Sequence, residues 1–306
     1  MSVSVIVSTY NQARELELAI WGYANQSLRN FELLIADDGS GPETRRRIDR
    51  LRRETGLKIV HVWHEDDGFR KCLILNRALT RATGEYAVIS DGDCIPRPDF
   101  VETHVRSARP HRFLSGGRVC LARQVTDSLT RADVITGSVF DAGWLRARAG
   151  VPRMRDLLKL TTSKPWAAAA DRLTTTRATW NGHNASTWRS ILLAVNGFNE
   201  SMSYPTEDRE LGERLRNHGI RPVQLRHRAV CVHLDHDRPY ADHSLLVRNE
   251  AIRRATRGVP RALSRFEGWV PGPSWTEFGI RKEARPADQL VAKARETARQ
   301  VVSDAG

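Results

Sequence analysis

The 306-residue sequence predicts an α/β protein with a mostly parallel central sheet covered by helices on both faces. Two patterns carry that prediction. Over the first hundred residues, short apolar runs rich in β-branched residues alternate with segments whose apolar residues recur at helical spacing. Each apolar run also stops abruptly in a cluster of Asp, Asn, Ser or Thr, where a strand leaving a buried sheet would meet solvent.

Taken in order, Val3–Val7 is the first strand, stopped by Ser8-Thr9-Tyr10-Asn11, and the helix after it carries Leu16, Ile20 and Tyr23 on one face. Phe31–Ala36 is the second strand and ends in Asp37-Asp38-Gly39-Ser40. The next helix holds Arg45, Arg46, Arg47, Arg50, Arg52 and Arg53 around Ile48 and Leu51, and terminates near Gly56. Apolar residues at that spacing make the arginines its solvated outer face. Ile59–Trp63 is the third strand, followed by the acidic turn Glu65-Asp66-Asp67-Gly68 and a helix with Leu73, Leu75, Ala78 and Leu79 that runs to Gly84. The fourth strand, Tyr86–Asp93, buries Ala87, Val88 and Ile89 and then exposes Asp91 and Asp93. From residue 110 the pattern loosens. Residues 118–180 are irregular, and Trp166–Ala170 reads as neither a regular strand nor a strong helix. Order returns between Trp180 and Gly219, Ala229–Val232 is strand-like, and the chain after about residue 245 is helical and basic.

Forty per cent hydrophobic and 27% charged residues are ordinary for a soluble globular chain. No run approaches the ~20 apolar residues that span a bilayer. The N-terminus enters a strand without the basic region of a signal peptide, and Cys72, Cys94, Cys120 and Cys231 show no paired spacing. Both point to a cytoplasmic protein with reduced thiols. The net charge of +12 comes almost wholly from arginine. Nucleic acid, an anionic membrane surface or a phosphorylated substrate could each account for it. The charge is dispersed and no basic–aromatic stacking motif occurs, which disfavours nucleic acid. The absence of a Gly-x-Gly-x-x-Gly or Walker loop argues against NAD enzymes and P-loop NTPases.

In an open α/β sheet the carboxyl ends of the strands share one edge, where ligands bind. Asp91 and Asp93 deliver paired carboxylates to that edge. They make either a solvated turn or a site for a hard divalent cation, Mg²⁺ or Mn²⁺, which in turn suggests a phosphorylated substrate. In Tyr204-Pro205-Thr206-Glu207-Asp208, Thr206 is placed to cap a helix whose first-turn acids complement the dipole. The same carboxylates, facing a cleft, could take a proton from an attacking hydroxyl. His233 and His236 lie in His-Leu-Asp-His-Asp after the Ala229–Val232 run. An imidazole joining Asp91 and Asp93 would make an N/O site suited to Mn²⁺, and a structural role is the competing reading.

Val-Ser-Thr-Tyr-Asn, Asp-Asp-Gly-Ser, Asp-Gly-Asp and Thr-Glu-Asp, in this order and spacing, resemble a family 2 glycosyltransferase with the GT-A fold, a Rossmann-like architecture. The stretch from Gly-His-Asn-Ala-Ser through Thr-Glu-Asp-Arg-Glu-Leu is similar to a galactosyltransferase-type C-terminal segment, found also in bacterial chondroitin-polymerase-like transferases. The resemblance covers roughly residues 3–240. It implies a nucleotide-sugar-binding half over residues 1–117, an acceptor and catalytic half of the same domain over 118–244, and a helical basic extension over 245–306. Thr9, Tyr10, Asn11 and Asp38 would hold the nucleoside of a UDP-sugar, with Gly68, Lys71, Asn76 and Asp91 beside the nucleotide. Asp93 would bind Mn²⁺ or Mg²⁺ together with His236 or, in competition, His233. Asn181, Gly182, His183 and Asn184 would line the sugar pocket, with His183 standing where related enzymes often carry glycine. Asp208 would be the general base and Glu207 a positioning acid. The implied reaction is an inverting transfer of a hexose or N-acetylhexosamine to a hydroxyl of a glycan, lipid-linked or other acceptor, in polysaccharide, lipopolysaccharide or other glycoconjugate synthesis. Peripheral membrane contact would run through the basic C-terminal region. A nucleotidyltransferase is the nearest rival, although Ser8–Asn11 is not its glycine-rich basic loop. A nucleic-acid-binding protein, or a transferase acting on a polyanionic acceptor, is the other.

Overall fold

A computed structural model describes residues 1–151, 153–237 and 243–256. Its first part alternates strand and helix: β1 (Val3–Thr9), α1 (Ala13–Ala24), β2 (Glu32–Asp37), α2 (Pro42–Thr55), β3 (Ile59–Trp63), α3 (Lys71–Arg81) and β4 (Tyr86–Asp91). Next come β5 (Cys94–Pro96), α4 (Phe100–Ser107), β6 (Arg112–Cys120) and three short helices, α5 (Arg123–Ser128), α6 (Arg131–Ile135) and α7 (Ala142–Ala147). The remainder is α8 (Lys164–Leu173), β7 (Asn184–Trp188), α9 (Arg189–Ala194), α10 (Glu207–Asn217), β8 (Arg221–His233) and α11 (His243–Thr256).

The strands form one sheet in the order β3-β2-β1-β4-β7-β6-β8-β5. β1, β2, β3 and β4 are mutually parallel; β7 returns antiparallel between β4 and β6, and β5 closes the far edge antiparallel to β8. The second half of the chain therefore inserts into the sheet begun by the first, and the boundary at 117/118 falls inside β6. Successive strand residues point to opposite faces, which splits the core in two. Val5, Val7, Leu33, Ile35 and Val88 pack with Leu16, Ile20 and Ile48 of α1 and α2. Ile6, Leu34, Ala87 and Ile89 pack on the other face with Ile74, Leu75, Leu211 and Leu215 of α3 and α10. Strands buried on both faces need the near-continuous apolar runs that the sequence carries.

The arginine face of α2 is solvated, as its periodicity predicts. Arg47 and Arg50 reach Glu17 at 2.8 and 2.6 Å, and Arg52 reaches Asp49 at 2.6 Å. Trp166–Ala170, in contrast to the sequence reading, lies within α8. Pro165 sits in the first turn, where its missing N–H costs nothing, and the alanine run that follows has high helix propensity. No helix among the described residues is long and apolar enough to cross a membrane. Most of the predicted C-terminal extension lies outside the described residues.

At the centre of the inserted half, fully buried Asn184 donates to the carbonyls of Gly117 (2.8 Å) and Ala229 (3.0 Å) and accepts from His104 Nε2 (2.9 Å). Asn184 thus ties β7, β6, β8 and α4 together and faces the core rather than a sugar pocket. Removing its amide strands several buried polar groups. Asn184→Ala is expected to cost roughly 3 kcal/mol of stability, read from urea denaturation. A change below about 0.5 kcal/mol would show that the amide carries no such load.

Candidate active site

The parallel strands change direction of addition between β1 and β4, and in α/β sheets ligands bind outside the strand ends at such a switch. A cleft of about 450 Å³ opens there. The strand-end clusters meet around it. Tyr10 Oη donates to Asp66 at 2.8 Å, Ser8 Oγ to Asp91 at 2.7 Å, and Asp38 pairs with His64 Nε2 at 2.8 Å. Arg77 can only donate, so His64 Nδ1 accepts from it at 3.0 Å and Nε2–H points to Asp38. Of the Asp37–Asp38 pair, Asp37 is structural: fully buried, it accepts from Ser40 N and pairs with His61.

β4 ends at Asp91, and Gly92-Asp93 turn the chain into β5. The two acids have different partners. Lys71 Nζ donates to Asp91 at 2.7 Å. Burial raises the Asp91 carboxyl, but Lys71 outweighs it and holds the group below its ordinary value, against the opposing charge of Asp93. Asp93 Oδ2 instead lies 2.7 Å from His236 Nε2 and 3.5 Å from His233 Nε2, with the two rings stacked. Burial would raise Asp93 too. The His236 hydrogen bond and the nearby imidazoles hold it well below the carboxylate range.

Glu207 and Asp208 line the same cleft. They open α10, which is locked in place from behind. Buried Arg214 grips Glu210 at 2.7 and 2.9 Å and donates to the carbonyls of Val195 and Gly197. Gly212 lies so close to Trp180 that a Cβ would sit 2.8 Å from the Trp180 Cβ. This packing brings residues 180–183 beside α10, and Gly182 N donates to Asp208 Oδ2 at 3.1 Å. Thr206 occupies the cap position but does not cap with its side chain: its φ is +85° and its buried hydroxyl has no partner among the described residues. Burial, reinforced by Asp208 against the opposing pull of Lys71, pushes Glu207 up to about 7.

Of the residues singled out in the sequence, Thr9, Tyr10, Asp38, Gly68, Lys71, Asp91, Asp93, Gly182, His183, Glu207, Asp208, His233 and His236 line the cleft. Four expected residues do not. Asn11 accepts from Gly41 N and clamps the β1 loop to the β2 loop. Asn76 is buried on α3 and holds Phe198 and Glu200. Asn181 donates to Ser115, and Asn184 lies in the core. Arg118 and Tyr204 line the cleft without having been singled out. Tyr204 lies three residues before Glu207, a proximity that could have flagged it; nothing in the local sequence marks Arg118.

The residues at one end suit a divalent cation. Asp93, Cys94 and His233 offer ligand atoms within 4.8 Å of one another. The Cys94 thiol is pushed up by burial, with Cys231 adding to the effect, and donates to Asp93. A carboxylate with one or two imidazoles is thus the better donor set, and it fits Mn²⁺.

Residues 4–149 match the family model described as Glycosyl transferase family 2. Chondroitin synthase from Escherichia coli is 31% identical over 106 residues, 34% of this chain and 15% of that protein. The putative glycosyltransferase EpsE from Bacillus subtilis (strain 168) is 33% identical over 110 residues, 36% of this chain and 39% of that protein. The match thus spans well under half the length of either relative. Among solved structures, mannosyltransferase PcManGT from Pyrobaculum calidifontis, in complex with GDP-Man and Mn²⁺, aligns at TM-score 0.51 and 20% identity over 99% of this chain and 74% of that one. S. aureus TarS 1-349, in complex with UDP-GlcNAc, aligns at 0.58 and 16% over 86% and 69%. The architecture is therefore the GT-A fold of glycosyltransferases. Residues 4–149 are thus similar to family 2 glycosyltransferase domains, on an architecture of the GT-A type.

Glu207 gives the site a pH signature. Its ordinary value is 4.5 and its folded value about 7. The stability linked to its proton is therefore complete below about pH 4.5 and lost as pH rises through 7. Glu207→Gln stays neutral throughout. Its stability by urea denaturation is expected to match wild type near pH 4 and exceed it at pH 8 by roughly 3 kcal/mol. A wild-type-minus-variant difference that does not change with pH would contradict the raised value.

Proposed function

We propose that this cleft transfers a sugar from a nucleotide-sugar, most naturally a UDP-hexose or UDP-N-acetylhexosamine, to a hydroxyl of a glycan or lipid-linked acceptor, with inversion. The observation that carries this reading is that Asp93, with two imidazoles converging on one of its oxygens, lines the same cleft as Glu207 and Asp208. The solved neighbours hold GDP-Man with Mn²⁺ and UDP-GlcNAc, which supports the donor class.

In this reading the nucleoside lies between Tyr10 and Asp38. The Thr9 hydroxyl, buried and without a partner among the described residues, is available to it. Asp93 with His236 or His233 would hold Mn²⁺ or Mg²⁺, which when bound supplies Lewis-acid stabilisation of the departing diphosphate. Lys71, pinned by Asp91, fixes positive charge at the middle of the cleft. Asp208 accepts from Gly182 N and Arg209 N, which orients its carboxylate, and it takes the proton from the attacking acceptor hydroxyl. Glu207, carrying a proton for part of the time at neutral pH, positions the acceptor beside it. A single displacement needs no covalent enzyme intermediate. We place the protein in the cytoplasm, working at the inner face of the membrane where the acceptor is lipid-linked.

Asp208→Asn is expected to lower turnover of UDP-sugar with acceptor by about 10²–10⁴-fold, with donor affinity by calorimetry within about twofold of wild type. Equal losses in affinity and turnover would mean that Asp208 is structural. Asp93→Ala is expected to abolish the Mn²⁺-dependent part of UDP binding. Identical UDP affinities with and without Mn²⁺, in wild type as in the variant, would overturn the metal assignment.

A further inference from the structure

Arg118 faces the cleft from a backbone built to hold it there. The β6–β8 register jumps from Gly116 opposite Leu225 to Gly117 opposite Val230, so residues 226–229 bulge out of β8. A Cβ on Gly117 would stand 2.0 Å from the Arg226 carbonyl oxygen, an approach that only glycine permits. Bulges of this kind beside active sites re-aim a side chain. From elsewhere in the fold, Lys159 Nζ donates to the Arg118 carbonyl at 2.7 Å and is itself held by Asp156 at 2.6 Å.

The backbone is fixed and the guanidinium is not. Among the described residues it makes no hydrogen bond and no carboxylate lies within ion-pair distance, in contrast to Lys71, which Asp91 occupies. Cross-strand pairing puts Arg118 opposite Cys231 and Cys120 opposite His233, so Arg118 stands on the strand pair that carries His233, and its charge acts on that imidazole. His183 lies beside it; burial, with Arg118 adding to it, pushes that imidazole down to about 3 and leaves it neutral.

A planar fork of donors matches an oxyanion better than it matches a sugar hydroxyl. Resting on the donor reading above, we propose that Arg118 is a donor-binding residue that receives an oxyanion of the nucleotide-sugar. That oxyanion is either a carboxylate on the transferred sugar or an outer oxygen of the diphosphate.

The test is calorimetric binding of UDP, UDP-glucose and UDP-glucuronate in the presence of Mn²⁺, with thermal unfolding to confirm that each variant is folded. If the carboxylate is the ligand, Arg118→Gln weakens UDP-glucuronate at least tenfold and leaves the other two within about twofold. If the diphosphate is the ligand, all three weaken by the same factor, again at least tenfold, and Arg118→Lys recovers part of it. Unchanged affinity for all three in folded Arg118→Gln overturns the proposal while the donor reading stands. Failure of wild type to bind any of the three overturns both.

Discussion

The ammonium of Lys71 is the interaction on which the rest of the cleft depends. Asp91, Glu207 and Asp208 approach it from the sheet on one side and from α10 on the other, and all three raise its affinity for its proton against the cost of burial. Without that cation, carboxylates from two halves of the chain would face each other across a site of lowered dielectric, and the separation of the walls would work against folding. Lys71 also divides the labour of the Asp-Gly-Asp turn. Because Asp91 is occupied by Lys71 and Ser8, Asp93 is the carboxylate left to work with the imidazoles.

This arrangement requires the second wall to be as rigid as the first. The sheet fixes Asp91 through the buried pairing of β4 with β1, and Asp93 through the Leu234 N–H that donates to its carbonyl. No strand fixes Glu207 and Asp208. Their position comes from the Arg214–Glu210 pair, whose guanidinium also satisfies the carbonyls of the turn after α9, and from the close seat of Gly212 on Trp180. A buried ion pair adds little stability against an apolar alternative, but breaking one side of it is costly. Its value here is positional: it leaves α10 one orientation, with both acids toward Lys71.

What the sequence disclosed follows the range of the forces involved. The strands β1 to β4 and their polar ends were legible because alternation, helical periodicity and chain reversal are local signals, and the ligand edge follows from them by topology. The asparagines were not. Asn11, Asn76, Asn181 and Asn184 sit in motifs that read as ligand contacts, yet each amide is used by backbone or side chains distant in sequence. An amide satisfied by a carbonyl 67 residues away leaves no trace in its neighbours. Arg118 was missed for the same reason, since its aim depends on a bulge in the pairing of β6 with β8. Trp166–Ala170 was missed because the helix is short and most of it is exposed, which weakens the apolar periodicity.

On the outer face of α2 the arginines are matched to nearby acids. In the cleft the balance is reversed. Asp38, Asp91, Asp93, Glu207 and Asp208 line it against Lys71 and Arg118, with His183 neutral and Lys71 already committed to Asp91. A diphosphate entering alone would meet an excess of negative charge and be repelled. In the proposed reading a divalent cation held by Asp93 would offset that excess, so the acids that make the cleft unfavourable for a bare nucleotide would make nucleotide binding depend on metal. Among the described residues the arginines of α2 therefore belong to the outer surface, whereas the lining of the cleft is acidic.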